Sequence, residues 1–493
     1  MDKNFLMTLL GYPPIGKFAL NMMKKNVLKP FQAPLKTVIE KQEKSLKKKV
    51  RILENTEIGR KLGVKDGINL QELAITNYNF YEPFFSNPSP STLMYPLENY
   101  EKIRTSGTSG REKWFMIPRS YITKTIIETA IPVVMLSTYD GEKITLEYGD
   151  TLYINTAPRP FVGGVMATVA SGKRKKPPLL DIVPNLNIPF EDKVQYFINN
   201  CDTIDVAVTQ ASIIVSQIMP TLKKTGKLKG LFCPDTAIAE VYFDEISRVL
   251  GTIPKTAYSS TETLHCSISS AQHPLGFFLD WRRGLFEFIP LKNGTADEKE
   301  ILGIDEVKVD EAYQIIFTSL ETELTRYNTL NALKCIAKGD DLLGIDYPIF
   351  KFHARLEKTI ALHNFTRISE NELITVLRES KIPFVEFTTR TEVHEGLQYL
   401  TIYIETTEER EKQELRESIH KRLCYSDGDY KDLADFYGYV PIKVHLLPKG
   451  VFAKYLMGKV AAMAKVERVE MRDEEFRRLI QIAKGMDQLW QPT

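Results

Sequence analysis

The segment TSGTSG at residues 105–110, within YEKIRTSGTSGREKWFMIP (100–118), consists of hydroxyl side chains and glycines. Glycine lets the backbone fold closely around a ligand, and successive backbone N–H groups form a concavity that binds anions. The hydroxyl groups add hydrogen-bond donors, and Lys113 adds a positive charge shortly after the segment. We therefore predict a loop that binds phosphate groups, formed by Thr105, Ser106, Gly107, Thr108, Ser109, Gly110 and Lys113.

This predicted loop differs from the Walker phosphate loop of P-loop NTPases. The Walker pattern requires a lysine directly after a glycine and directly before Ser or Thr. In this chain, Lys113 follows Glu112 and precedes Trp114. A P-loop NTPase is therefore disfavoured, and an ordinary surface turn remains the alternative to a phosphate-binding loop.

The composition indicates a soluble globular protein of more than one domain. The chain has 493 residues, of which 43% are apolar, and this length exceeds what one compact core usually holds. Its 65 basic and 63 acidic residues nearly balance, so we expect neither nucleic acid nor an anionic membrane as a partner. No apolar run approaches the roughly 20 residues that span a bilayer, so no membrane span is predicted.

The cysteines and the N-terminus favour a cytoplasmic location. The five cysteines are widely spaced and form no C-x-x-C pair, so neither a disulfide framework nor a zinc site is indicated. The segment FLMTLLGYPPIG, at 5–16, is apolar for only a few residues before Pro13 and Pro14 interrupt it. We therefore expect no signal peptide, and the protein is predicted to be cytoplasmic.

Periodicity divides the chain into two predicted domains. Residues 1–75 are expected to be mainly helical, with a lysine-rich face exposed to solvent. From about 100 to 350, short β-rich runs alternate with helical segments, which is typical of an α/β domain with largely parallel strands. A smaller α/β pattern follows. We predict a large domain at 1–355 and a small domain at 356–493.

A second motif, YSSTET at 258–263, carries groups suited to binding a nucleotide and a metal ion. Tyr258 offers a flat ring on which a purine can stack, and Thr261 offers a donor for an α-phosphate or a carboxylate. Glu262 offers oxygen ligands for Mg²⁺. We predict that Ser260 also contacts the nucleotide. Taken alone, the motif is explained equally well by a strand end followed by a Ser-Thr-Glu helix cap.

The segment NTAPRPFVGGVMATVA, at 155–170, mixes glycine, proline and small apolar residues. Such a composition suits the wall of a pocket that holds an acyl group. Close packing of a helix on a strand would favour the same residues, so both interpretations stay open.

Together, the two motifs resemble those of the adenylate-forming superfamily, which includes acyl-CoA synthetases, firefly luciferase and the adenylation domains of peptide synthetases. TSGTSGREK is similar to the phosphate loop of that superfamily, and YSSTET resembles its Tyr-x-x-Thr-Glu segment. A closer resemblance is to the auxin-responsive, Gretchen Hagen-type acyl-acid amido synthetases. It rests on ENTEIGRKLG (54–63), FYEPFFSNP (80–88) and the TSGTSG form of the loop, and it covers about residues 50–470.

The segment ELTRYNTLNALKC, at 323–335, resembles that family's Tyr-Arg-x-Gly-Asp strand but departs from it. The arginine of the family falls on Asn328, its glycine on Leu330 and its ribose-binding aspartate on Asn331. A carboxylate accepts hydrogen bonds from both ribose hydroxyls, whereas the Asn331 amide accepts through one atom and donates through the other. The resemblance therefore implies a nucleoside contact at Asn331 that differs from the contact in the family.

The resemblance also implies basic residues that contact the nucleotide from the C-terminal part of the chain. Arg355 matches a hinge arginine that contacts the nucleotide, and Arg367 stands where the family has a phosphate-binding lysine. Lys465, near the end of LPKGVFAKYLMGKVAAMAKVERV, is matched to the family's closing lysine, with Lys459 as the alternative. Each of these side chains could instead be an ordinary surface residue.

The resemblance implies an α/β fold with a large N-terminal adenylate-forming domain of mixed sheets flanked by helices, and a small α/β C-terminal lid domain. It implies an enzyme that uses ATP and Mg²⁺ to convert a small carboxylic acid into an acyl-adenylate, with Lys465, Glu262 and Thr261 as catalytic residues. The acyl group then passes to an amine or amino acid, or alternatively to coenzyme A. A nucleotide-binding module without catalytic activity is the second alternative.

Overall fold

The computed structural model describes most of the chain as two compact units. The described residues are 11–104, 113–156, 159–171, 179–186, 188–222, 225–234, 239–240, 242–292, 295–296, 299–356, 359–362, 366–394, 397–457 and 465–487. The larger unit ends at Phe352, and the smaller unit contains the chain from His353 onward. Among the described residues, no helix is both long enough and apolar enough to cross a bilayer.

The larger unit begins with several helices and has further helices between its strands. They are α1 (Pro13–Asn26), α2 (Leu35–Leu53), α3 (Glu57–Leu62), α4 (Tyr78–Ser86), α5 (Arg119–Thr125), α6 (Ile131–Ser137), α7 (Val162–Ser171), α8 (Phe190–Asn200), α9 (Ala211–Ile213) and α10 (Phe243–Leu250). Short 3-10 turns lie at Lys29–Phe31, Leu70–Glu72 and Leu97–Asn99, and π-helical turns at Ile126–Ala130 and Ile214–Ile218. Along α2, Val38, Gln42 and Lys49 are buried together because residues separated by whole helical turns share one side of a helix.

A parallel five-stranded sheet lies within the larger unit. After the antiparallel pair β1 (Tyr100–Arg104) and β2 (Trp114–Pro118), the chain forms β3 (Thr151–Ile154), β4 (Asp181–Val183), β5 (Val206–Val208), β6 (Gly230–Phe232) and β7 (Pro254–Lys255). The spatial order is β4-β3-β5-β6-β7, so β4 and β5 lie on opposite sides of β3. In open α/β sheets, ligands bind at such a switch point, beyond the carboxyl ends of the strands.

Glycine is needed at residue 230 because β6 approaches the end of α6 closely. A β-carbon on Gly230 would lie 2.6 Å from Ser137 Oγ and 2.7 Å from Thr138 Cγ2. Real β-carbons do not come this close to other heavy atoms, so a larger residue would push β6 away from α6. The register of the parallel sheet at β6 thus depends on this glycine.

A seven-stranded sheet follows the antiparallel pair β8 (Ser259–Ser260) and β9 (Leu264–His265), and its last strand in sequence runs three residues past the end of the larger unit at Phe352. Its strands are β10 (Ser267–Ser269), β11 (Phe277–Leu279), β12 (Gly284–Lys292), β13 (Thr295–Ala296), β14 (Ala312–Ser319), β15 (Tyr327–Ala337) and β16 (Ile349–Arg355), in the order β10-β11-β16-β15-β14-β12-β13. Aromatic side chains such as Phe277, Phe288 and Phe350 form the core on one face of this sheet. The α/β fold with mixed sheets that the sequence predicts is confirmed.

Polar side chains join α2 to the seven-stranded sheet. Gln42 Nε2 donates a hydrogen bond to Gly284 O at 2.8 Å. Lys49 Nζ donates to Ser319 O at 2.8 Å and to Leu324 O at 2.6 Å, and Lys49 is only 2% exposed. The prediction of a solvated lysine face is therefore wrong for Lys49, which points into the protein.

The smaller unit combines helices with strands of both orientations. Its elements are β17 (Thr359–Leu362), β18 (Thr366–Ser369), α11 (Glu370–Glu379), β19 (Phe384–His394), β20 (Leu397–Thr406), α12 (Lys412–Ser426), α13 (Gly428–Tyr437), β21 (Ile442–Leu446), α14 (Val451–Met457) and α15 (Asp473–Met486). β17 pairs with β18, and β20 pairs antiparallel with β19 and parallel with β21. Tyr403, Phe452 and Leu479 belong to its apolar core.

Candidate active site

Residues 258–265 follow β7 and form a tight hairpin from β8 and β9. Ser260 stabilises the turn, because its backbone N–H donates to Thr263 Oγ1 at 3.2 Å. Thr261 is buried at this turn, and Glu262 is half-buried. The alternative of a helix cap is wrong, since the described residues after the tyrosine form a hairpin and not a helix.

Tyr258 and Asn331 lie next to each other, although they are distant in sequence. Asn331 Nδ2 donates a hydrogen bond to Tyr258 Oη at 2.9 Å. The Tyr258 ring stacks on Phe277 with 6.3 Å between centroids, and Tyr258 is 5% exposed. Burial raises the pKa of Tyr258, so its phenol stays neutral and can accept this hydrogen bond. The two predicted nucleoside-binding residues therefore contact each other directly in the folded protein.

A bulge in β15 places Asn331 beside Tyr258. Gln314 pairs with Ala332 and Ile316 with Asn328, so residues 329–331 bulge opposite a single residue of β14. The Asn328 side chain stabilises the bulge by accepting a hydrogen bond from the N–H of residue 330 at 2.9 Å.

Leu330 occupies the bulge with a backbone angle that usually favours glycine. Its φ is +54°, in the left-handed region that β-carbon contacts disfavour for most residues. The family to which the motif is similar has glycine at this position. Leu330 thus has a positive φ, a backbone angle that glycine would adopt more easily.

Glu262 is the predicted magnesium ligand, and it lies close enough to Tyr258 for its charge to act on the phenol. Among the described residues, no group of three or more His, Cys, Asp or Glu side chains could hold a metal ion. Mg²⁺ in phosphate-binding sites is commonly held by one or two carboxylates together with phosphate oxygens and water. A single carboxylate at Glu262 fits that kind of site and does not fit a metal cage made of protein alone.

The predicted phosphate loop lies outside the described residues, but its flanks are described. Thr105, Ser106, Gly107, Thr108, Ser109 and Gly110 are the residues concerned. The flanking strands pair from Tyr100 with Pro118 to Arg104 with Trp114. Lys113 Nζ lies 5.9 Å from the centroid of the Tyr78 ring. The hydroxyl of Tyr78 accepts a hydrogen bond from Trp114 N at 2.8 Å, so α4 holds the strand that starts after the loop.

The predicted basic residues of the C-terminal part lie in the smaller unit. Arg355 ends β16, and Arg367 lies in β18 opposite Ala361; their side chains are outside the described part. Lys465 is exposed in the segment before Val469, which bridges to β19. The alternative lysine, at 459, lies outside the described residues. Their roles toward a nucleotide stay predictions.

Sequence reasoning did not single out other polar residues near the carboxyl edge of the five-stranded sheet. Asn155 directly follows β3, Thr209 directly follows β5, and Lys193 lies on α8. All three are buried. Asn155 begins the segment at 155–170, for which the sequence left a pocket wall and close helix-strand packing as alternatives, and this was the one available signal. A lysine in an amphipathic helix is normally exposed, so its burial could be found only in the structure.

Comparison with family models gives one match that covers part of the chain. Residues 277–355 match the model of the GH3 family central domain. These residues run from β11 through β16 and include the bulge of β15 that carries Asn331. No curated protein sequence matches the chain.

Solved structures extend the similarity to nearly the whole chain. AtGH3.15 acyl acid amido synthetase, in complex with 2,4-DB, is 14% identical, with a TM-score of 0.69 over 92% of this chain and 95% of that one. A 2-hydroxyisobutyryl-CoA ligase, in the postadenylation state with 2-HIB-AMP, is 14% identical, with a TM-score of 0.58 over 94% of this chain and 93% of that one. Identities this low establish a shared fold, and the predicted fold class is thereby confirmed.

Proposed function

We propose that the chain is a GH3-type ligase of the adenylate-forming superfamily, which activates a carboxylic acid with ATP and passes the acyl group to an amine. The observation that carries this proposal is the hydrogen bond between Asn331 and Tyr258. It joins the two described motifs, one following the parallel sheet and one on the seven-stranded sheet. Such a pairing is expected where both motifs bind the same nucleotide.

In the first half-reaction, a carboxylate oxygen of the acid attacks the α-phosphorus of ATP. The bond from this phosphorus to the oxygen bridging it to the β-phosphate breaks, pyrophosphate leaves, and the acyl-adenylate remains. Because an anion attacks an anion, positioning and charge neutralisation contribute more than proton transfer. Mg²⁺, when bound, neutralises phosphate charge, and Glu262 is suited to hold it.

Each predicted site residue has a role in this reaction. In this proposal, Thr261 donates a hydrogen bond to the α-phosphate or to the carboxylate of the acid. Lys465 stabilises the negative charge that develops at the α-phosphorus. Lys113 neutralises the outer phosphates. The remaining nucleotide contacts are assigned to Thr105, Ser106, Gly107, Thr108, Ser109, Gly110, Tyr258, Ser260, Asn331, Arg355 and Arg367. In this proposal, the smaller unit acts as the lid domain, and the domain boundary lies near Arg355.

In the second half-reaction, the amine nitrogen attacks the acyl carbon of the adenylate. The bond from this carbon to the phosphate oxygen breaks, AMP leaves, and the nitrogen loses a proton to water. Coenzyme A is the alternative acceptor, and the structural similarity to a CoA ligase keeps this alternative in the proposal. All five cysteines are free, which supports a reducing compartment such as the cytoplasm.

Carboxylate-dependent exchange of labelled pyrophosphate into ATP tests the first half-reaction. We expect exchange with at least one member of a panel of small acids. ATP binding without exchange for every acid would instead support a catalytically inactive nucleotide-binding module. With an active acid, amino acids and coenzyme A are then offered separately. Formation of a thioester alone, with no amide, would contradict the proposed acceptor.

Replacing Asn331 with aspartate is expected to lower the KM for ATP about tenfold. A carboxylate can accept from both ribose hydroxyls, and the Tyr258 hydroxyl can rotate to donate to it. The KM is measured from the ATP dependence of pyrophosphate exchange.

Asn328→Asp is the matched control, because it adds the same charge in the same strand. Asn328 Oδ1 accepts from Leu330 N and from Gln314 Nε2, and aspartate can keep both hydrogen bonds. We expect the KM for ATP to stay near that of the unmodified protein in this control. An unchanged or higher KM in Asn331→Asp would remove Asn331 from the ribose contact.

A further inference from the structure

Asn155 and Thr209 lie side by side at the switch point of the five-stranded sheet. Ile154 pairs with Val208 in the parallel register, and Asn155 N donates to Val208 O at 2.9 Å. The next residues of the two strands therefore project to the same face of the sheet. Asn155 is 3% exposed and Thr209 is 1% exposed, so both side chains are shielded from water.

Within the described part of the chain, the polar atoms of these two side chains make no hydrogen bond of normal geometry, and the Asn155 side chain has only a weak interaction with the Tyr153 hydroxyl. The atoms are Nδ2 and Oδ1 of Asn155 and Oγ1 of Thr209. A buried donor or acceptor without a partner destabilises the folded state, and the great majority of such groups are satisfied. Two adjacent buried residues whose polar atoms are not satisfied by the described residues are suited to binding a polar ligand.

Lys193 brings a positive charge to the same region. Its Nζ donates to Thr156 O at 3.2 Å, one residue beyond Asn155, and Lys193 is 3% exposed. Tyr153 Oη donates to Lys193 O at 3.0 Å, so α8 is fixed to β3 at this point. Burial lowers the pKa of Lys193, and no carboxylate of the described residues offsets this effect. Buried lysines are normally paired with an anion, and no carboxylate among the described residues pairs with Lys193.

The location of these groups suits a substrate of the proposed reaction. β7 lies two strands away from β5 in the same parallel sheet, and the Thr261–Glu262 turn follows β7. Adjacent strands are spaced by about 4.8 Å, so the two strand ends are separated by roughly 10 Å. A small molecule can cover this distance while one end of it reacts near Glu262.

We propose that Lys193, Asn155 and Thr209 form a subsite for a substrate carboxylate that is not the one activated by ATP. The positive charge of Lys193 neutralises the single negative charge of this carboxylate. The Asn155 amide and the Thr209 hydroxyl donate hydrogen bonds to the carboxylate oxygens. This inference rests on the proposed function. The carboxylate belongs either to the far end of the activated acid or to the amino acid that accepts the acyl group. Both sources present the same group to these three side chains.

The experiment compares paired substrates that differ only in the second carboxylate. In pyrophosphate exchange, adipate is compared with hexanoate; in amide formation, alanine is compared with ethylamine. In Lys193→Met, we expect the selectivity for the carboxylate-bearing partner of one pair, measured as a ratio of kcat/KM values, to fall about 10- to 100-fold. Loss in the adipate pair assigns the subsite to the acid, and loss in the alanine pair assigns it to the acceptor.

Controls separate a subsite from a structural role. Lys227→Met removes an exposed lysine of the same unit and is expected to keep the unmodified selectivity in both pairs. Thr209→Val keeps the side-chain shape and removes only the hydroxyl, so it tests the subsite even if Lys193→Met does not fold. Unchanged selectivity in both pairs for the folded variants, with only a lower melting temperature, would overturn the subsite.

Failure of the proposed function gives a different result from failure of the subsite. If the unmodified protein exchanges no pyrophosphate with any acid, the function fails and the subsite is judged by binding alone. The measured quantity is then the rise in melting temperature with adipate relative to hexanoate, and with alanine relative to ethylamine. A larger rise for the carboxylate-bearing partner that Lys193→Met abolishes supports the subsite, and equal rises within both pairs overturn it.

Discussion

Replacing Glu262 with glutamine is expected to lower carboxylate-dependent pyrophosphate exchange about 100- to 1,000-fold. Glutamine keeps the size and hydrogen-bonding capacity of the side chain but removes the negative charge that would hold Mg²⁺ on the phosphates. Because Glu262 is half-buried at a hairpin turn, the substitution is not expected to change the fold. The exchange rate is measured with an acid that the unmodified protein accepts, at saturating ATP and across a range of magnesium concentrations.

Glu245→Gln provides the control for this experiment. Glu245 is exposed on α10 of the same unit, so the control makes the same chemical change away from the predicted site. We expect its exchange rate to match that of the unmodified protein. Equal exchange rates in Glu262→Gln and in the unmodified protein would refute the assignment of Glu262 as a magnesium ligand. The ligase proposal would still stand, because it is tested by whether the unmodified protein exchanges pyrophosphate at all.

Replacing Lys49 with alanine is expected to lower the free energy of unfolding by about 3–5 kcal/mol. The Lys49 amine donates to Ser319 O and Leu324 O, and its charge interacts with the buried carboxylate of Glu323. Burial lowers the pKa of Lys49 to about 7 and raises the pKa of Glu323, so each charge depends on the other in the core. Removing the lysine leaves two carbonyl oxygens and a carboxylate without this partner.

Urea denaturation of Lys49→Ala and Lys48→Ala provides the comparison. Lys48 precedes Lys49 on α2 and is exposed, so its loss is expected to change the free energy of unfolding by less than about 0.5 kcal/mol. Both variants have the same change in helix propensity, which isolates the effect of burial. A similar small loss in both variants would mean that the buried amine contributes little and that α2 is held by its apolar face alone.

Local sequence patterns predicted those features that depend on local chemistry. The YSSTET motif indicated the neighbourhood of Tyr258 and Glu262, and the alternation of β-rich and helical segments indicated an α/β fold. Neither pattern could decide between a helix cap and a hairpin after Tyr258, because both begin with a strand end and a hydroxyl residue. The pairing of Ser260 with Leu264 depends on the whole strand arrangement.

Other features depend on contacts between distant segments, which the sequence does not display. Lys49 belongs to a helix with many exposed lysines, and nothing in its spacing distinguishes it from Lys48. Asn155 and Lys193 become unusual only because folding buries both side chains, while no carboxylate among the described residues pairs with Lys193. Whether a buried polar atom has a partner depends on which distant segments the fold brings together, and the sequence alone does not show this.

The hydrogen bond between Asn331 and Tyr258 has a consequence for how this protein can change during evolution. Because the two side chains share one contact inside the core, substitutions at the two positions are expected to be epistatic, with a combined effect that differs from the sum of the single effects. A mutational route to a carboxylate at position 331 must keep a hydroxyl at position 258 that can reverse its donor role. If Tyr258 were replaced first by a residue without a hydroxyl, a later carboxylate at position 331 would be buried without this hydrogen-bond donor.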